Sequence, residues 1–202
     1  MNQVKLDTII EAASKIFLRY GYQKTSMDDI AREAMIGKGT IYYYFNSKED
    51  IFIAILEKIH TGIKNNIRKR INRAKTFEDK FTIFFTEPFS HFMDTHQLIR
   101  QVLNEDSPVF LKKLHDFREG VQIDFKNILH EIFDFGVACD VIKPCYANSL
   151  EKVIEIVFRW MFVGGEHVKV SLVEESIKDL AKDYLLVSDI FLNGLVIKKE
   201  NG

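Results

Sequence analysis

Residues 38–45 gather the side chains best suited to chemistry: Lys38, Gly39, Thr40 and the consecutive Tyr42, Tyr43 and Tyr44, framed by Ile41 and Phe45. Ile41 and Phe45 are four apart, so on a helix they share one face and can anchor it to a core. Lys38, Thr40, Tyr42 and Tyr43 then remain for the outer face. An ammonium, a small hydroxyl and two phenols suit contacts to the phosphates and base edges of double-stranded DNA. For Tyr44, packing and DNA contact are equally open. The competing reading of all three rings is an aromatic cluster that holds short helices together.

Other chemistry-bearing residues form weaker patterns. Lys64, Arg68, Lys69, Arg70, Arg73 and Lys75 make a basic run. At ~1.5 Å per residue, Lys64 lies some 24 Å beyond Lys48 on a continuous helix, which carries the run away from any contact made near Lys48. The histidines show no four-residue spacing, since His91 and His96 are five apart, and Cys139 and Cys145 lack a Cys-x-x-Cys arrangement, so no metal is expected. No phosphate loop, hydrolase elbow or spaced carboxylate set appears, so neither catalysis nor a cofactor is expected. Eleven of the 17 phenylalanines fall between Phe77 and Phe135. That density fits core packing, and it equally fits an apolar pocket lined by rings such as Phe84, Phe89, Phe92, Phe117 and Phe125. His91, Arg100 and Arg159 are then the polar groups that could orient a ligand.

Helices must position these groups. Leu6, Ile9, Ile10, Ala13, Phe17 and Tyr20 keep the helical period over 4–20, and Gly21 supplies a left-handed stop. Thr25, Ser26 and Asp28-Asp29 read as a cap with first-turn carboxylates for a short helix through Ala34. Only Met35, Ile36 and Gly37 separate it from a helix at 38–45, which is helix-turn-helix spacing. A capping box at Ser47–Asp50 opens a helix to about Lys75, and Thr76 with Asp79 starts another that Pro88 should kink or end. Further helices are expected at 97–104, from Ser107-Pro108 to about Phe135, at 144–162 and at 173–195. Gly164-Gly165 should break the chain between the last two. The class is all-α with about nine helices.

Composition agrees. Hydrophobic residues make up 47% and charged residues 28%, which excludes disorder, and no apolar run approaches the ~18 residues of a membrane span. Without an apolar leader after Met1, and with two cysteines, the expectation is a soluble cytoplasmic protein. Residues 1–75 carry 14 Lys/Arg against 8 Asp/Glu, whereas the remainder carries 14 against 21. A polyanion should therefore meet the first third of the chain.

The stretch from Gly21-Tyr22 through Thr25-Ser26-Met-Asp-Asp-Ile30-Ala31 to Lys38-Gly-Thr-Ile-Tyr-Tyr-Tyr-Phe45 and Lys48 resembles the DNA-binding domain of TetR/AcrR transcriptional regulators, as does the closing Ile190–Leu195 segment. The resemblance covers about residues 5–60. It implies a helix-turn-helix domain at 1–47 and a helical effector-binding and dimerisation domain at 48–202. It also implies a homodimer on a palindromic DNA operator, released by a small ligand that the phenylalanines would make lipophilic. By position, Lys38, Gly39 and Thr40 open the recognition helix, and Gly39 lets the backbone lie close to DNA. Tyr42 is placed for a base or phosphate and Tyr43 for a phosphate. Thr25 and Ser26 begin the bracing helix near phosphate, and Lys48 matches a backbone-reaching lysine. Met35 stands where the family commonly has glycine, so a conserved turn geometry puts Met35 in a left-handed conformation that costs roughly 1–2 kcal/mol. Two rival readings remain: a DNA-binding activator or architectural protein without an effector, and a helical enzyme or carrier whose N-terminal helices are only structural.

Overall fold

The computed structural model describes residues 3–90, 98–102, 106–147, 149–163 and 174–196, with the side chains at 89–90, 144, 147, 159–163 and 174–184 outside that description. Nine helices are defined among these residues: α1 Gln3–Tyr20, α2 Met27–Glu33, α3 Lys38–Tyr44, α4 Lys48–Arg73, α5 Phe77–Ser90, α6 Pro108–Ala138, α7 Pro144–Ala147, α8 Leu150–Val163 and α9 Glu174–Leu195. The extended pairing among them is one isolated antiparallel bridge, Ile142 with Val196. None of the described helices is long and apolar enough to cross a membrane. The all-α class stands.

The chain forms two compact units, Met1–Gly62 with His91–Gly120, and Ile63–Ser90 with Val121–Gly202. The expected boundary after residue 47 falls inside the first unit. That unit has its own core: Ile9, Ala13 and Phe17 from α1, Ile30 and Ala31 from α2, Ile41 from α3, and Ile51, Phe52, Ile55 and Leu56 from α4. Leu98, Val102 and Phe110 join the same core from the later segment. The apolar period of α1 thus marks its buried face, and Gly21, at φ +89°, turns the chain while its N–H donates to the Phe17 carbonyl at 2.9 Å.

Phenylalanine dominates the second core. Phe77, Phe81, Phe84 and Phe85 of α5 pack with Phe125, Leu129, Ile132 and Phe133 of α6 and with Ile154 and Val157 of α8. Phe81 and Phe85 approach to 4.7 Å between ring centroids, and Phe84 meets Phe125 edge-on at 6.0 Å. Such tilted geometries are preferred by ring quadrupoles. Lys80 is buried here as well; its ammonium donates to the Ile71 carbonyl at 2.6 Å and lies 4.6 Å above the Phe135 ring. A charge can stay in that core because it satisfies a carbonyl near the end of α4.

Several boundaries differ from the sequence expectation. Pro88 does not stop α5, which runs two residues further to Ser90. Only a helical turn at 98–100 is described within the expected helix at 97–104. α6 passes the anticipated end at 135 and closes after Ala138, where Asp140 takes a left-handed φ of +54°. The single helix expected from Pro144 is divided: α7 is four residues long, and Val153 N–H then bonds the Ser149 carbonyl at 3.0 Å to start α8. Gly164-Gly165 lies outside the described residues.

Candidate nucleic-acid interface

The site begins with a cap. Ser26 accepts from the Asp29 N–H at 3.2 Å, and Asp29 Oδ2 accepts from the Ser26 N–H at 3.0 Å, a reciprocal capping box for α2. Hydrogen bonds from the Ser26 hydroxyl and then its N–H hold the Asp29 carboxyl below the usual range, so the box is intact at neutral pH and is lost only as acid protonates Asp29. At the other end, Met35 N–H bonds the Arg32 carbonyl at 3.1 Å and Ile36 N–H bonds the Ala31 carbonyl at 3.0 Å. This is the double-bonded helix stop that normally places glycine in the left-handed position. Met35 occupies it at φ +53° with its side chain 93% exposed. The turn keeps the geometry, and the methionine is strained without packing in return.

α3 then starts on Gly37, whose carbonyl accepts from Thr40 N–H at 2.8 Å and which offers no side-chain cap. Ile41 is fully buried and Phe45 nearly so, as their spacing requires. Tyr44 is partly buried against the same core and meets the Tyr43 ring edge-on at 5.2 Å. Tyr42 and Tyr43 are 45% and 75% exposed. Gly39 has open space around it: a Cβ there would meet nothing within 4 Å. Lys38, Gly39, Tyr42 and Tyr43 therefore stand together on the outward side of α3, with Thr40 partly covered among them.

The structure uses two other expected contact residues internally. Thr25 is buried, and its hydroxyl donates to the Gly21 carbonyl at 2.8 Å. Lys48 donates to the carbonyls of Tyr22 at 3.0 Å and Thr25 at 3.3 Å while lying 4.3 Å over the Tyr22 ring. Both staple the α1–α2 loop. Ser26 stays exposed beside them. Asp28, read from sequence only as a first-turn carboxylate, receives the Lys38 ammonium at 2.8 Å. That bond raises the Lys38 pKa. The pair joins the starts of α2 and α3, ten residues apart, a spacing without a helical signature.

The expected ligand residues distribute differently. Phe84 and Phe125 pack together in the second unit, whereas Arg100 is exposed and Phe117 sits edge-on to His60, both in the first. Phe89, His91, Phe92 and Arg159 lie outside the described residues or side chains. Among the described residues no group of histidines, cysteines and carboxylates could hold a metal.

A two-helix reader with an anchored second helix, resting on a helical core, defines a helix-turn-helix protein. Residues 9–55 match the bacterial regulatory proteins of the tetR family. The chain is 27% identical to the transcriptional regulator YhgD of Bacillus subtilis over 75% of this chain and 82% of that one. It is 28% identical to the fatty acid metabolism regulator protein of Bacillus subtilis over 67% and 69% of the two chains. A transcriptional regulator from Cytophaga hutchinsonii superposes with a TM-score of 0.75 at 25% identity, over 96% of this chain and 99% of its own. Over residues 9–55 the chain thus carries a DNA-binding domain of the tetR family, and its likeness to transcriptional regulators runs through most of its length.

Strain at Met35 has a measurable sign. Met35→Gly is expected to raise stability by about 1 kcal/mol, because it removes the left-handed penalty and deletes no contact. Thermal unfolding checks this; an unchanged or lower midpoint would show that the turn is not left-handed.

Proposed function

We propose that the protein is a homodimeric repressor that reads a palindromic operator through α3 and is released by a lipophilic ligand, acting in the cytoplasm where DNA is reached. Gly39 carries the DNA-contact reading. An exposed helical glycine costs roughly 1 kcal/mol relative to alanine, and no neighbour within 4 Å requires it. The residue makes sense if something outside the chain approaches the backbone there, beside Lys38, Tyr42 and Tyr43. Gly39→Ala is expected to stabilise the fold while weakening operator binding at least tenfold; Tyr42→Ala and Thr40→Ala should weaken and relax specific binding. Fluorescence anisotropy on duplexes selected from a random pool reads both effects. Wild-type operator affinity in a folded Tyr42→Ala variant would refute the assignment.

A single head offers little surface for a specific site, whereas two heads read half-sites about one DNA turn, or multiples of it, apart. Exposed apolar side chains on α8 and α9 support pairing with a second copy: Ile156, Leu185, Leu186 and Ile190, the last 60% exposed. Val157 is fully buried, Val153 is half-buried, and Phe191 packs on Phe85 at 6.3 Å within its own unit, while Val187 is partly covered. The side chains of Trp160, Leu180 and Tyr184 lie outside the described set. Leu186→Glu with Ile190→Glu should leave a folded monomer in sedimentation at micromolar concentration and reduce operator affinity over a hundredfold, since paired heads are lost. A dimer that survives both substitutions would refute this face.

The ligand reading draws on the phenylalanine-rich second core and on the name of the fatty acid metabolism regulator. Saturated acyl chains and their thioesters are expected to raise the unfolding midpoint and lower operator affinity together. Only a ligand that prefers the DNA-incompetent state can do the second. Stabilisation without loss of DNA affinity would favour the effector-independent rival.

A further inference from the structure

We infer that Gln101 and Phe110, far from the helix-turn-helix in sequence, position the DNA-reading surface by gripping the α1–α2 loop at Tyr22. Tyr22 follows the left-handed Gly21 and is 1% exposed. Its N–H donates to Gln101 Oε1 at 2.9 Å. Its ring stacks on Phe110 with centroids 5.4 Å apart and planes 12° from parallel, while Phe52 meets it edge-on at 5.2 Å. Its hydroxyl donates to Glu49 Oε1 at 3.1 Å. Leu98 and Val102 are buried in the same core, so apolar side chains on both sides of Gln101 hold its amide in place. Lys113 adds an ion pair to Asp50 at the start of α4.

The consequence is directional. Four residues beyond Tyr22 stands Ser26, the cap of α2, and the methionine turn joins α2 to α3. A shift of the loop at Tyr22 is therefore passed to the cap and onward to the outward face of α3. A buried N–H that loses this acceptor keeps its desolvation penalty, and moving the loop is the simplest relief. The Gln101 amide acts on the loop at Tyr22, so its removal should change how well the outward face fits one sequence and not how strongly the head attracts phosphate. That separates a positioning residue from a contact residue.

The inference rests on the reading of α3 as the DNA-contacting helix, and the test keeps the two apart. Full-length protein carrying Gln101→Ala, Gln101→Glu or Tyr42→Ala is titrated with the selected duplex and with a scrambled one. Gln101→Ala is expected to lose about tenfold in affinity for the selected duplex, the size of one buried hydrogen bond. Its affinity for the scrambled duplex and its salt slope should not move, because no phosphate contact is removed. Gln101→Glu keeps an acceptor and should retain operator affinity. Equal losses on both duplexes, or no loss where Tyr42→Ala is defective, would overturn the positioning role and leave the DNA reading intact. If the wild-type chain selects no duplex, the DNA reading falls, and amide exchange still decides the grip. The Tyr22 N–H should exchange slowly in the wild type and at least tenfold faster in Gln101→Ala, and fast exchange in the wild type overturns the grip even if the variant does not fold.

Discussion

Burial of Ile41 and Phe45 is the constraint on which the rest of the reader depends. α3 has seven residues, too few to hold a helix in water by hydrogen bonding alone. It persists because one side chain per turn enters the core built from α1, α2 and α4, and the partly buried Tyr44 closes the seam. Once that side is committed, Lys38, Gly39, Tyr42 and Tyr43 have no direction left except outward. The chemistry of the exposed surface is thus a by-product of the anchor. Moving the anchor by one residue would rotate the helix by about 100° and bury the tyrosines instead.

Around that anchor the fold tolerates two local losses. Met35 stays left-handed because the bonds from Met35 and Ile36 satisfy carbonyls at the end of α2, and because any other backbone path would displace α3. Gly39 weakens a helix that is already short, and no side chain of the chain needs the space. Strain and weak helix propensity in one seven-residue segment and its approach are the pattern expected where an external surface must fit, not where a core must be filled. The second core shows the opposite habit: its glycine, Gly136, has Phe77 and Ile142 so near that a Cβ would fall within 3 Å of both.

Local rules made most of this legible in advance. Caps at Ser26, Ser47 and Thr76, the stop at Gly21, the proline that opens α6 and the inward pair on α3 all depend on residues within a few positions of each other. What could not be read depends on distant partners. The use of Lys48 as a staple needs the Tyr22 and Thr25 carbonyls, the Asp28–Lys38 pair needs two helix starts side by side, and the Gln101 grip spans 79 residues. The phenylalanines show a third kind of limit. Their number announces an aromatic interior, but whether rings line a space or fill it depends on how helices meet, and in the described core Phe77, Phe81, Phe84, Phe85 and Phe133 lie against one another. A ligand that enters there must displace ring–ring contacts, so flat or flexible apolar molecules that replace them fit better than compact polar ones.

Charge placement carries the last step. The excess of lysine and arginine in the first 75 residues suggests a bare cationic surface, yet much of it is answered locally: Lys38 by Asp28, Arg32 by Asp29, Lys15 by Glu33 and Lys58 by Asp7 and Glu11. The later basic run is answered too, with Lys64 on Asp124, Arg68 on Glu131 and Arg70 on Glu87. The exposed pairs among these contribute only about 0–1 kcal/mol each to folding. Their effect on DNA binding is larger in consequence than in energy, because a phosphate must displace a carboxylate before it gains the cation. If α3 is the DNA-contacting helix, as proposed, that cost falls on attraction to arbitrary duplex DNA and not on contacts through uncharged groups such as the Gly39 backbone and the Tyr42 and Tyr43 phenols. Specificity is a difference between those two affinities. On that proposal, a head with much of its cationic charge internally answered and an aromatic outward face would widen that difference without tighter binding to its own site.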